Sequence, residues 1–271
     1  MPARTTEVRA KDTAAVTDQL GVLTEWLSGL TEQEFSTPTV LPGWDVRTLT
    51  GHLLLIAGGF ADILDRALTD RRPVGRPLPA AILVTRYRRD VDDIAEATAV
   101  RTGEKSQDQL LAELRAATQR LGRLLASPLL PATIQTPRGP GRLAEFVRTR
   151  VIDVVVHSDD LNRSLPERRP VAIGRQPLAI SCRTLAELLA EQHPGKSVEV
   201  RVPPYAAVQC GIGPEGPSHT RGTPPNVVET DPVTFLRLAT GRTTWAEARA
   251  AGRVSASGQR ADLSEILPVL S

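Results

Sequence analysis

Cysteine is scarce in this chain: only Cys182 and Cys210 occur, and neither belongs to a C-x-x-C or C-x-x-H cluster. A framework of disulfides is excluded, and both residues are expected to be free, buried thiols. Aromatic residues make up 3% of the sequence, too few for a base-stacking platform. The 33 basic residues are nearly balanced by 31 acidic ones, so no nucleic-acid partner is expected. Lysine is limited to Lys11, Lys105 and Lys196, and the arginine that replaces it, with abundant Ala, Pro and Gly, has the bias of a high-GC genome. No apolar run approaches the ~20 residues that span a bilayer. The stretch from Met1 to Lys11 lacks the apolar core of a secretory signal. A cytoplasmic protein without a membrane partner is therefore expected. Also missing are a G-x-S-x-G elbow, a phosphate-binding P-loop and a G-x-G-x-x-G fingerprint.

What is present is a chain of 271 residues, 41% of them hydrophobic, enough for two modest domains. Val16, Leu20, Leu23, Leu27 and Leu30 recur every three or four positions and predict an amphipathic helix over residues 12 to 30. Asp45 is placed as an N-cap for a second helix whose one face carries Leu49, His52, Ile56, Gly59 and Ile63. After a proline-rich break at residues 71 to 79, a third helical stretch is expected near 80 to 98. Ser106 and Gln109 form a capping box opening a helix to about Ala126, and Pro128, Pro131, Pro137 and Pro140 end it. Residues 142 to 161 are ambiguous, since Val151, Ile152, Val154, Val155 and Val156 favour a strand. Twenty residues without Gly or Pro, with Leu143, Phe146, Arg150, Asp153, His157 and Leu161 in helical phase, decide for a helix. Residues 1 to 165 thus read as a bundle of four or more long helices.

Composition shifts at Pro166 to Pro170, and residues 166 to 177 are read as a linker. Residues 178 to 271 read as a small α+β domain: a helix from Leu178 to Gln192, strands at 198 to 202 and 206 to 212, and a Gly/Pro loop at 213 to 225. A strand follows at 227 to 229, then a helix capped by Asp231 and Pro232 and stopped by Gly241, a helix at 244 to 250, a strand at 254 to 256, and a closing apolar helix over 263 to 270. The expected class is therefore a two-domain α+β protein.

Four histidines occur. His193 and His219 look like turn residues, while His52 and His157 fall on apolar helix faces. Asp153 precedes His157 by one turn, so both lie on one side of a helix, and His52 from another helix can complete a three-point site with a position left for water or a thiolate. The bland alternatives are a satisfied core histidine and an ordinary helix ion pair. Asp160 is either a partner fixing the His157 tautomer or a solvated helix end. Arg150 either holds a substrate carboxylate or, the preferred reading, neutralises Asp153.

Leu41-Pro42-Gly43-Trp44-Asp45-Val46-Arg47-Thr48-Leu49-Thr50-Gly51-His52-Leu53 resembles the P-G-W-x-V-x-x-L-x-x-H-L signature of the mycothiol-dependent maleylpyruvate isomerase family, a branch of the DinB-like metal-binding four-helix bundles. Arg150 to Leu161 resembles that family's R-x-x-E-x-x-x-H-x-x-D-L helix. Thr230 to Arg242, Trp245 and Gly252 to Gly258 resemble the sterol-carrier-like domain that often follows. The resemblance implies a divalent metal, zinc by preference, on His52, Asp153 and His157, with Asp153 standing one methylene short of the family's Glu. It also implies mycothiol as cosubstrate, the high-GC bias favouring that thiol over bacillithiol. A metal-bound thiolate would add to a small electrophilic substrate, followed by rotation and elimination in a cis-trans isomerase or by release of the adduct in an S-transferase. Arg242, Arg253 and Arg260 are candidates for an anionic substrate, and none is assigned. The competing expectation is a non-catalytic carrier that binds an apolar ligand in its C-terminal domain.

Overall fold

The computed structural model describes residues 3–70, 75–86, 90–213 and 225–270. Its elements run α1 (Ala3–Ser28), α2 (Glu32–Phe35), α3 (Val46–Thr69), α4 (Ala80–Thr85), α5 (Val91–Thr102), α6 (Gln107–Leu125), β1 (Thr133–Thr136), β2 (Gly139–Arg142), α7 (Leu143–Ser164), α8 (Arg175–Gln192), β3 (Val198–Val202), β4 (Ala206–Cys210), β5 (Val227–Thr230), α9 (Pro232–Ala239), α10 (Trp245–Ala250) and β6 (Val254–Ser257). The chain divides into two compact units, Met1–Pro79 with Arg88–Pro177, and Ala80–Tyr87 with Leu178–Ser271.

The first unit is a bundle of α1, α3, α6 and α7, with α5 packed on α3. α2, α3 and α6 start where the sequence can satisfy the first free amides. Asp45 accepts from the Thr48 amide at 2.7 Å to begin α3, and Ser106 with Gln109 makes the expected reciprocal box at α6. The predicted stripe of α1 is the buried one: Val16, Leu20, Leu23 and Leu27 are all 0% exposed. α7 is a helix despite its β-branched run, because Val151, Val154 and Val155 are fully buried and tertiary packing outweighs a weak intrinsic preference. Among the described helices only α3 is long and apolar enough to pass for a membrane span, and 67% of that stretch is buried inside the protein, as a core helix should be.

Two expectations fail in the first 165 residues. The helical stretch near 80 to 98 is two elements, α4 and α5, the second running on to Thr102. The prolines after α6 also do more than end it: Thr133↔Arg142, Ile134↔Gly141, Gln135↔Pro140 and Thr136↔Gly139 pair as an antiparallel hairpin lying along α3 and α7. Its tight turn holds Pro137 and Arg138, with Gly139 at φ +124° where a side chain would be strained. The stretch after α7 is strapped down by side chains. Arg168 pairs with Glu34, whose carboxyl is drawn down to about 2 chiefly by the Arg168 hydrogen bond. Trp26 donates to the Arg169 carbonyl at 2.7 Å, and Gln19 bonds Ser158, Ala172 and Gly174.

In the second unit the strands form one mixed sheet in the order β4-β3-β5-β6, with β3 and β5 parallel and the outer pairs antiparallel. Val198, Val200 and Val202 alternate into the core while Glu199 and Arg201 bond each other at 2.6 Å. Cys182 and Cys210 are free and buried as expected, and burial pushes their thiols up to about 12 and about 11. Neither is a nucleophile at neutral pH. Residues 263 to 270 form turns rather than the expected helix, with Val269 and Leu270 donating their amides to the Ala239 carbonyl. Leu263, Ile266 and Val269 are nonetheless buried, so the apolar spacing was real and reported burial. His193 lies in the bend after α8, as expected, whereas His219 and most of the Gly/Pro loop lie outside the described residues.

Asp231 caps α9 by accepting from the Val233 and Thr234 amides, each at 3.0 Å. Burial raises its carboxyl, but the Thr234 hydroxyl, those two amides and Arg253 outweigh it and leave it below the ordinary aspartate value. A depressed carboxyl stabilises the fold fully above its unfolded value, about 3.9, and loses that contribution as pH falls through the folded value. Asp231→Ala is expected to cost about 1–2 kcal/mol at pH 7. Urea titrations across pH should show the variant and parent converging only in acid.

Candidate functional site

The site is built in the first unit at the crossing of α3, α5 and α7. Its approach is set by the loop before α3, where Gly43 at φ +77° permits a tight turn that returns Thr39 to the Trp44 carbonyl at 2.7 Å. Val40 is tied to Ser164 at the end of α7 at 3.0 Å. Trp44 is thereby set against His52 on the second turn of α3, ring centroids 5.1 Å apart in an edge-on arrangement.

His52 and His157 are brought together. Their rings meet edge to face with centroids 4.9 Å apart, although 105 positions separate them in sequence. The Nδ1 atom of His157 lies 3.1 Å from Oδ2 of Asp160, a carboxylate with 0% exposure. An ionised carboxylate only accepts, so with Asp160 ionised the proton would sit on Nδ1 and the lone pair on Nε2. Asp160 is thus not a solvated helix end. The Nδ1 atom of His52 lies 3.1 Å from Oγ1 of Thr98, a fully buried hydroxyl on α5.

Asp153 is placed differently. Its Oδ2 bonds Nη1 of Arg150 at 2.9 Å, and both side chains are largely buried. Arg150 also lies over the Phe146 ring at 5.0 Å. The preferred reading of Arg150 as the neutraliser of Asp153 therefore describes what is seen. Among the described residues no group of three or more His, Cys, Asp and Glu side chains is arranged to hold a metal ion. The two imidazoles have the chemistry of a nitrogen donor pair for zinc, while the third candidate donor is engaged by a guanidinium.

Two residues near the site carry no signal in the sequence. Thr98 belongs to a helix read only as a vague stretch. Arg138 sits in the unforeseen hairpin turn and pairs with Asp90 at 2.9 Å. Asp90 stands before α5 without capping it. Burial pushes the Arg138 guanidinium below its usual value, against the attraction of Asp90 and Asp153. In the second unit Arg242 donates to the Thr240 carbonyl, and the charge of Arg253 acts on Asp231.

Comparison with known proteins adds the following. The family described as the mycothiol maleylpyruvate isomerase N-terminal domain matches residues 16–162. The family described as a bacterial SCP ortholog matches residues 174–269. Two solved structures, a mycothiol-dependent maleylpyruvate isomerase and a histidine-to-alanine mutant of such an enzyme, each superimpose with a TM-score of 0.61 at 16% identity, covering 92% of this chain and 92% of theirs. At that identity the likeness establishes a shared fold. No curated protein sequence matches.

Proposed function

The chain belongs to the mycothiol-dependent maleylpyruvate isomerase family, and from that premise we propose that it is a metal-dependent enzyme whose chemistry is centred on His52 and His157. The observation that carries the reading is the meeting of these two histidines in the bundle interior, each with Nδ1 already engaged. Nε2 of each would then be the donor, with Asp153 as third ligand, a set suited to zinc. A divalent ion bound there would lower the pKa of mycothiol and hold it as a thiolate, the nucleophile for a small electrophilic substrate.

The remaining work falls to the chain itself. Asp160 holds the His157 proton on Nδ1 and fixes the plane of that ring. Trp44 packs edge-on against one side of His52 and limits the swing of that ring. Arg150 holds Asp153 by one oxygen, so Asp153 would serve as a ligand only with its other oxygen or after release from the ion pair. Cis-trans isomerisation and S-transfer share the addition step and differ in whether the adduct collapses to the trans product and free thiol or leaves as a thioether. A cytoplasmic setting, where such a thiol stays reduced, is part of this reading.

The deciding measurement is elemental analysis of protein purified without a histidine tag. About one divalent ion per chain is expected, lost in Asp153→Ala, with a cobalt spectrum perturbed by mycothiol. Wild-type protein that takes up no metal after reconstitution would sink the proposal. The match of residues 174–269 to a bacterial SCP ortholog favours one second reading, an apolar-ligand carrier. Saturable binding of a fluorescent fatty acid by metal-free, inactive protein would support it.

A further inference from the structure

We propose that Thr98 is the positioning residue for His52, accepting the Nδ1 proton so that the ring's lone pair is kept on Nε2, facing the same chemistry as Nε2 of His157. The inference rests on the metal reading above for its consequence, but not for its geometry. A hydroxyl at 0% exposure in a helix crossing is costly unless hydrogen-bonded, and that of Thr98 reaches His52 Nδ1 at 3.1 Å. Its place is fixed twice over. One turn on, Thr102 donates its hydroxyl to the Thr98 carbonyl at 2.9 Å, and the same Thr102 packs onto Gly51, the residue before His52. α5 is therefore seated against α3 close to where Thr98 meets the imidazole. The two rings are then served by unlike partners: a buried carboxylate on the same helix for His157, and a neutral hydroxyl from a different helix for His52. The hydroxyl fixes the tautomer without itself adding negative charge.

A threonine hydroxyl can also donate, which would place the proton on Nε2 and leave His52 unable to coordinate as a neutral ligand. The tautomer is therefore the primary readout. Long-range nitrogen–proton correlation spectra of the metal-free full chain at pH 8 are expected to show His52 as the Nδ1–H form. Thr98→Val should shift His52 toward the Nε2–H form without moving His157, and Thr98→Ser should restore it. Cobalt titration of the same proteins should show affinity about 10–100-fold weaker for Thr98→Val and recovered for Thr98→Ser. An Nε2–H His52 in the wild type, or a tautomer unchanged by Thr98→Val, overturns the assignment. A wild type that binds no cobalt overturns the proposed function instead, and the spectra still decide the role of Thr98.

Discussion

His157→Ala protein is expected to fold as a helical bundle while its affinity for zinc or cobalt falls at least about 100-fold, beyond the 10–100-fold that loss of an outer-shell partner costs. The side chain removed is 10% exposed and lies within bonding distance of a fully buried carboxylate. Taking away the ring N–H costs that carboxylate a charge-assisted bond, so metal-free His157→Ala should also be less stable than its parent by about 1–3 kcal/mol. The helix itself does not depend on the ring, because α7 is held by Val147, Val151, Val154, Val155 and Leu161, all 0% exposed. Far-ultraviolet circular dichroism should therefore be unchanged. The two losses respond differently to added metal. Wild-type stability should rise with zinc concentration by mass action, and His157→Ala stability should not. A variant that keeps stoichiometric metal would remove His157 from the ligand set and leave the imidazole pair a packing contact.

The bundle is legible in the sequence because its signals are local. A stripe such as Val16, Leu20, Leu23 and Leu27, or a cap such as Ser106 with Gln109, is written within a turn or two of the chain. His52 and His157 were legible as candidates for the same reason, each standing in phase with buried neighbours. The hairpin of β1 and β2 was not, because Pro137, Gly139, Pro140 and Gly141 mask the alternation of a strand, and its pairing relies on support from α3 and α7. Arg138 was hidden with it. The Arg150–Asp153 pair was foreseen because three residues on a helix make neighbours. Thr98 could not be found, since its meaning lies wholly in a helix crossing that brings it to a residue 46 positions away. The closing segment shows the reverse error, an apolar period that reports burial without reporting a helix.

Gly51→Ala tests that crossing at its tightest point. A Cβ at Gly51 would lie 1.9 Å from Oγ1, 3.0 Å from Cβ and 3.3 Å from Cα of Thr102. Turning the Thr102 hydroxyl away would break its bond to the Thr98 carbonyl and would still leave the Cβ contact, so α5 must withdraw. Overpacking of this kind costs about 1–3 kcal/mol. Replacing a mid-helix glycine by alanine returns up to about 1 kcal/mol. The net expectation is a loss of about 1–2 kcal/mol together with a stretched bond between Thr98 and His52, read as metal affinity about 10-fold weaker. Gly59, two turns on in α3, has nothing within 4 Å of where a Cβ would stand and separates the two effects. Gly59→Ala should gain the propensity term alone and melt slightly higher, with metal binding unchanged. Thr102→Ala in the Gly51→Ala background should restore part of both losses, giving a coupling of about 1 kcal/mol in a double-mutant cycle. If Gly51→Ala instead behaves like Gly59→Ala, α5 is not seated on α3 closely enough to hold a hydroxyl against His52, and the orientation of that ring must come from Trp44.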